Sequence, residues 1–286
     1  MPEDSVGLGE WMLKARILTA VPLALILLAI IGFAPPVVFA GLVGIIALLG
    51  AWEWAALGGL QGRAGRAVYT ALLSACLAAV FLLPSVVNNV ILAAASVSWT
   101  LLFVYVVWRG RSSSMQGLPS GVRLLLGIPI LVSAWLALTG VHNLGPEGPL
   151  WLLVLFSLVW GADIGAYFVG RRFGRHKLAP LISPGKTWEG VLGGIVTALL
   201  GMGLVIMVGW SRVDAPLPSM GWWLLAGLLV VGASVLGDLF ESLLKRDAGV
   251  KDSGAILPGH GGVLDRVDAL LPAAPLFYMA LLGVSQ

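Results

Sequence analysis

The sequence predicts an all-α fold, that of a polytopic helical integral membrane protein with about nine transmembrane helices. Three observations lead there. Apolar residues make up 59% of the chain and charged residues 11%, against about 25% charged in soluble domains. Apolar runs near or above about 18 residues recur along the whole length, and short alternating strands of a membrane barrel are absent. The basic residues gather in alternate polar breaks, as expected when one side of a membrane retains them.

The spans fall at about 17–33, 37–58, 68–83, 90–108, 123–141, 150–170, 190–210, 221–240 and 267–284. Lys14 and Arg16 precede the first, which resembles a signal peptide in charge. It continues across Pro35-Pro36 without a small-residue cleavage site, so it is expected to stay as a helix. The two prolines cannot continue a helix and make a tight hairpin into the second span. Polar breaks follow at 59–67, 84–89, 109–122, 142–149, 171–189, 211–220 and 241–266.

Placing the N-terminus in the cytoplasm puts on that side Lys14, Arg16, Arg63, Arg66, Arg109, Arg111, Arg123, Arg171, Arg172, Arg175, Lys177, Lys186, Lys245, Arg246, Lys251 and Arg266. Of the 17 basic residues only Arg212 lies opposite. The expected C-terminus is therefore outside. The net charge of +3 reads as topology and contact with anionic lipid, not nucleic-acid binding. Cys76 stands alone in an apolar run, so there is no disulfide framework. The chain divides into N-terminal transmembrane helices over 1–149, about five spans, and a C-terminal region over 150–286 with a polar loop at 241–266.

Ionisable groups within spans are costly, and each one raises a functional question. Asp163 lies inside the sixth span, Asp238 and Glu241 close the eighth, Asp265 and Asp268 open the ninth, and Glu53 stands late in the second between Trp52 and Trp54. All six fall toward the cytoplasmic side. The pairs 238/241 and 265/268 are three residues apart, so each shares a helix face. Structural ion pairing with Lys245, Arg246 and Arg266 competes with metal binding for any one of them. For the set, oxygen donors in a chain of three histidines suit Mg²⁺ better than zinc. Glu53 is the weakest member, since an acid near a helix end can simply reach water.

Glycine-rich backbone at Pro258-Gly-His-Gly-Gly262 can approach a ligand and offer N–H groups to phosphate, and it leads into a helix N-terminus. A second basic loop runs Ser183-Pro-Gly-Lys-Thr-Trp-Glu-Gly190. Its Gly-Lys-Thr is not a P-loop, because Pro180 stands where the first glycine belongs and no strand precedes it. Ser242 and His260 lack the setting of a hydrolase triad, and no HExxH is present. The residues thus point to a membrane-embedded divalent-cation site flanked by phosphate-binding loops, suited to phosphoryl or nucleotidyl transfer onto a lipid.

Ser242-x-x-Lys245-Arg246, Lys251-Asp252-x-Gly254, Leu257-Pro-Gly-His-Gly-Gly262 and Asp265-Arg266-x-Asp268 together resemble the signature of the phosphatidate cytidylyltransferases, the CDP-diacylglycerol synthases. Asp163-x-x-Ala166-Tyr167, Ser183-Pro184-x-Lys186-Thr187-Trp188-Glu189-Gly190 and Gly237-Asp238-x-x-Glu241-Ser242 are similar to that family too. The resemblance covers about 150–270. Gly185 departs from it, standing where the family often carries a second lysine.

The resemblance implies CTP and phosphatidic acid as substrates, Mg²⁺ as cofactor with a second cation as an option, and a bacterial inner membrane as location. It implies Asp238 and Asp265 as core metal ligands, with Asp163, Asp252 and Asp268 as further candidates. Lys186, Lys245, Arg246, Lys251 and Arg266 would hold triphosphate or phosphatidate, with Thr187 and Ser242 beside them. His260, Gly261 and Gly262 would shape the phosphate turn, and Asp238, Asp265, Lys245, Arg246 and His260 form the expected catalytic set. The rival readings are a CTP-dependent polyprenol or phytol kinase and a cation-coupled transporter. Small-residue stretches such as Gly193-Gly194 would allow close helix contacts, and a homodimer is an option.

Overall fold

The computed structural model describes residues 25–111, 117–209, 219–256 and 261–283. A helical stretch over 25–33 leads through Ala34-Pro35 into α1 (Pro36–Leu57). Then come α2 (Arg63–Phe81), α3 (Ser85–Arg111), α4 (Ser120–His142), a 3₁₀ turn (Gly145–Glu147) and α5 (Gly148–Phe173). A two-stranded ribbon, β1 (Lys177–Ala179) and β2 (Ser183–Thr187), precedes α6 (Trp188–Gly209) and α7 (Met220–Asp247). The short α8 (Leu264–Val267) and α9 (Leu270–Leu282) close the chain. Among the described residues seven helices are long and apolar enough to cross a membrane.

The second to eighth expected spans are present within a few residues; of the first, 25–33 is helical and 17–24 lies outside the described residues. The ninth is corrected. Helix α9 has 13 residues, about 20 Å at 1.5 Å per residue against about 30 Å of hydrocarbon. Pro272 has no N–H to give the Asp268 carbonyl, so the hydrogen-bond ladder is interrupted between α8 and α9, while Asp268 and Ala269 keep right-handed helical dihedrals. Most of α9 is buried inside the bundle.

The outer faces carry exposed Leu101, Leu200 and Val208, as lipid contact requires. The interior is aromatic: Trp99 meets Phe240 edge-on, with ring centroids 5.6 Å apart, and Trp54 is buried nearby. Trp54 Nε1 and Tyr69 Oη donate to the carbonyls of Arg123 and Leu124, both at 2.8 Å, locking α1 and α2 to the start of α4. Helices α5 and α6 approach through small residues: Gly161 faces the Ala198 backbone, Gly165 faces Gly193 and Gly194 faces Ala162. The close helix contacts expected at Gly193-Gly194 are thus made within the chain.

The antiparallel ribbon pairs Lys177 with Thr187 and Ala179 with Ser183. It was not expected in the polar break over 171–189, where both strands are short and one contains proline. Glu189, at the start of α6, accepts the N–H groups of Arg175 at 3.1 Å and His176 at 3.2 Å, and meets His176 Nδ1 at 2.6 Å. This closes the ribbon's base and sets β2 at the end of the bundle where α5 finishes and α6 begins.

Candidate active site

Two coupled acid–base clusters form at that end. In the first, Lys186 reaches from β2 across to α7, where its Nζ lies 2.7 Å from Asp238 Oδ2 and 3.4 Å from the Val235 carbonyl. Ser242, one turn further along α7, places its Oγ 3.3 Å from Asp238 Oδ1. Asp163 on α5 interacts electrostatically with Asp238 and Lys186, and Asp268 at the end of α8 interacts with all three. Gly237 makes this convergence possible, since a Cβ there would collide with the Asp268 carbonyl and Pro272. Three carboxyl groups thus face one ammonium.

The second cluster organises the polar loop. Helix α7 ends at Ala248 and Gly249, whose φ of 71° releases the chain into that loop. Lys245 Nζ is clamped 2.6 Å from Glu241 Oε2 and 2.6 Å from Asp265 Oδ1. Asp265 Oδ2 accepts the N–H of Gly262 at 2.8 Å and of Ser253 at 3.1 Å, with Ser253 Oγ at 2.9 Å. Gly261 adopts φ 83° beside this carboxylate, a conformation that favours glycine. Burial alone would raise the Asp265 carboxyl, but hydrogen bonds from Lys245 and the Gly262 N–H outweigh it and hold it well below the usual carboxylate range.

Glu53 departs most from expectation. It does not reach water: 2% of it is exposed, and it accepts the N–H groups of Val263 at 3.0 Å and Leu264 at 2.9 Å. Its Oε2 also lies 3.1 Å from Ser253 Oγ. Gly254 and Gly262 have no Cβ because the Glu53 carboxylate occupies that space. The anion at the N-terminus of α8 is therefore the protein's own Glu53, not a substrate phosphate. Sequence reasoning registered an acid in an apolar helix but had no means of seeing its partners, about 200 positions away.

Other expected site residues divide the same way. The Thr187 hydroxyl is buried and accepts the Gly190 N–H at 3.1 Å, capping α6. The Gly262 N–H is committed to Asp265, and Asp265, expected as a core metal ligand, has donors on both oxygens and ties the loop to Lys245. Arg246, Lys251, Asp252 and Arg266 are exposed at the same end. His260 lies outside the described residues. Asp247 and Arg109 were not singled out from sequence; they form a pair at 3.5 Å with side chains 7% and 6% exposed, and Asp247 Oδ2 also accepts the Leu118 N–H at 2.8 Å.

Among the described residues no three His, Cys, Asp or Glu side chains form a ready-made metal cage. The donor set still suits one ion. Mg²⁺ is usually held by one or two carboxylates together with substrate phosphates and water, and Asp238 with its neighbouring carboxylates offers oxygen donors of that kind.

A profile of the cytidylyltransferase family matches residues 14–283. The phosphatidate cytidylyltransferase of Pseudomonas aeruginosa is 43% identical over 266 residues, 93% of this chain and 96% of that protein. That of Haemophilus influenzae is 37% identical over 287 residues, covering 93% of this chain and 97% of its own. That of Brucella suis is 50% identical over 135 residues, 47% of each chain.

Proposed function

The chain belongs to the cytidylyltransferase family, and from that premise we infer that it transfers CMP from CTP to phosphatidic acid, giving CDP-diacylglycerol and pyrophosphate. It is an integral membrane enzyme. The observation that carries the chemistry is the Lys186–Asp238 pair, 2.7 Å apart and set against Asp163 and Asp268.

In this reaction an oxygen of the lipid phosphate bonds to the α-phosphorus of CTP, and the bond from that phosphorus to the β-phosphate bridging oxygen breaks. The nucleophile is already anionic near neutral pH, so no strong general base is needed. The barrier is the approach of two polyanions, and fixed cations and positioning lower it. Lys186, held by Asp238, presents its ammonium at a fixed point. Exposed Arg246, Lys251 and Arg266 add positive charge at this end of the bundle. Ser242 orients Asp238, while Lys245, Glu241, Asp265, Ser253 and Glu53 hold the loop in shape.

Mg²⁺ would be held through Asp238, with Asp163 and Asp268 completing the charge balance. When bound, it would supply positive charge against that developing on pyrophosphate. Concentration of the described basic residues at the site end supports a cytoplasmic orientation for that end, where CTP is found.

Purified protein given labelled CTP, Mg²⁺ and phosphatidic acid should yield a lipid carrying labelled CMP. Transfer of the γ-phosphate alone would establish a kinase instead, and absence of any product would return the transporter reading.

A further inference from the structure

We propose that an apolar chamber beneath the carboxylate cluster receives part of one acyl chain of the lipid substrate, and that Ala134 and Trp160 set which chains it accepts. The chamber holds 220 Å³ between α1, α4, α5 and α9. Its walls include buried Phe39, Ala47, Ala134, Leu138, Phe156 and Leu271, while exposed Ile46 stands at its edge, so it runs from the interior to the lipid-facing surface. Arg266, exposed at the head of α8, is the one charged side chain among the described residues lining it.

Its position relative to the site follows from helix periodicity. Phe156 and Trp160 precede Asp163 by seven and three residues, so all three share one face of α5. Leu271 follows Asp268 by three residues on the descending chain. The helices run in opposite directions, and both place the chamber about one turn deeper than its carboxylate. A lipid whose phosphate meets the rim cations thus has an apolar recess directly below its glycerol.

The occupant follows from chemistry and size. A chamber with mostly apolar walls suits an apolar occupant. It is smaller than the roughly 300 Å³ at which drug-sized ligands are accommodated, so it takes a segment of one chain and not both. A chain moving from bilayer to chamber gains little hydrophobic energy, because lipid tails are as apolar as the walls. The chamber therefore selects by shape, not by affinity.

This rests on the reading of the chain as a phosphatidate cytidylyltransferase, and the experiment separates the two. Turnover is measured with dioctanoyl and dioleoyl phosphatidic acid in mixed micelles, for wild type, Ala134→Phe and Trp160→Ala. Filling the chamber in Ala134→Phe should lower kcat/KM for the dioleoyl substrate by about tenfold relative to dioctanoyl, the scale on which apolar pockets discriminate chain bulk. Trp160→Ala should move the ratio the other way, and it carries the test if Ala134→Phe does not fold. An unchanged ratio in the folded variants, with wild type active on both lipids, overturns the chamber's role alone. No CMP-lipid from wild type with either substrate overturns the enzymatic reading and this inference with it.

Discussion

The Glu53 carboxylate accepts the backbone N–H of Leu264 at 2.9 Å, joining α1 to a residue 211 positions later in the chain. With Val263 bound to the same side chain, a buried acid from the N-terminal helices caps the segment that carries Asp265 and Asp268. The hydrophobic first half of the chain is therefore part of the site's scaffold.

Replacing Glu53 by Ala leaves two buried N–H groups without acceptors, at a cost of about 2–4 kcal/mol. The variant should melt at lower temperature in detergent and be cut faster by protease within 249–262. Glu53→Gln retains one acceptor oxygen and should fall between wild type and Ala. Unchanged cleavage in Glu53→Ala would show that the loop docks without this anchor.

Asp238 is half-buried and paired with one lysine, so Asp238→Asn should change stability little, by about 1 kcal/mol or less. Its effect on turnover should be large, a loss of about 10²–10³-fold, as for other groups that fix transition-state charge. Mg²⁺ titrations should show half-activation moving to higher concentration, and chelation should abolish wild-type activity. Activity retained in full without divalent cation would remove the metal from the scheme.

The depressed carboxyl of Asp265 makes an acid-side prediction. The unfolded chain, with a carboxyl near the usual value of about 3.9, binds more protons than the folded one in that range. The stabilisation is complete above the unfolded value and is lost as pH falls below about 4. Melting temperature measured between pH 3 and 6 should fall on the acid side in wild type and fall less in Asp265→Asn. Equal acid slopes would mean that Asp265 is not preferentially ionised in the fold.

Arg109 and Asp247 form a buried pair away from the carboxylate cluster. Asp247→Ala should destabilise the protein by about 3–5 kcal/mol, because Arg109 stays buried with a partner lost. Turnover per folded molecule should be close to wild type. A selective loss of turnover without loss of stability would place the pair in the catalytic machinery.

Much of this was legible in the residues. Spans of hydrocarbon-matching length declare themselves by composition, and Pro35-Pro36 and Gly249 mark turns by backbone chemistry. The Ser242–Asp268 motif and Lys186 were identifiable because charged residues are rare in this chain. The sequence could not reveal which of these residues face ligand and which face one another. Asp265, Gly262 and Thr187 have suitable chemistry for binding substrate, yet their polar atoms are satisfied within the protein.

Membrane class, the positions of most helices, and the family were determined by the sequence alone, since hydropathy, proline and a dense polar motif are local properties. Tertiary structure alone decided the roles: Glu53 as the cap of α8, Lys186 as the partner of Asp238, and the interruption of the last span at Asp268. Each depends on a meeting between residues far apart in sequence, or on a missing Cβ, as at Gly237, that lets two helices touch. Local periodicity records which face a residue occupies, but only the packed bundle determines what lies opposite that face.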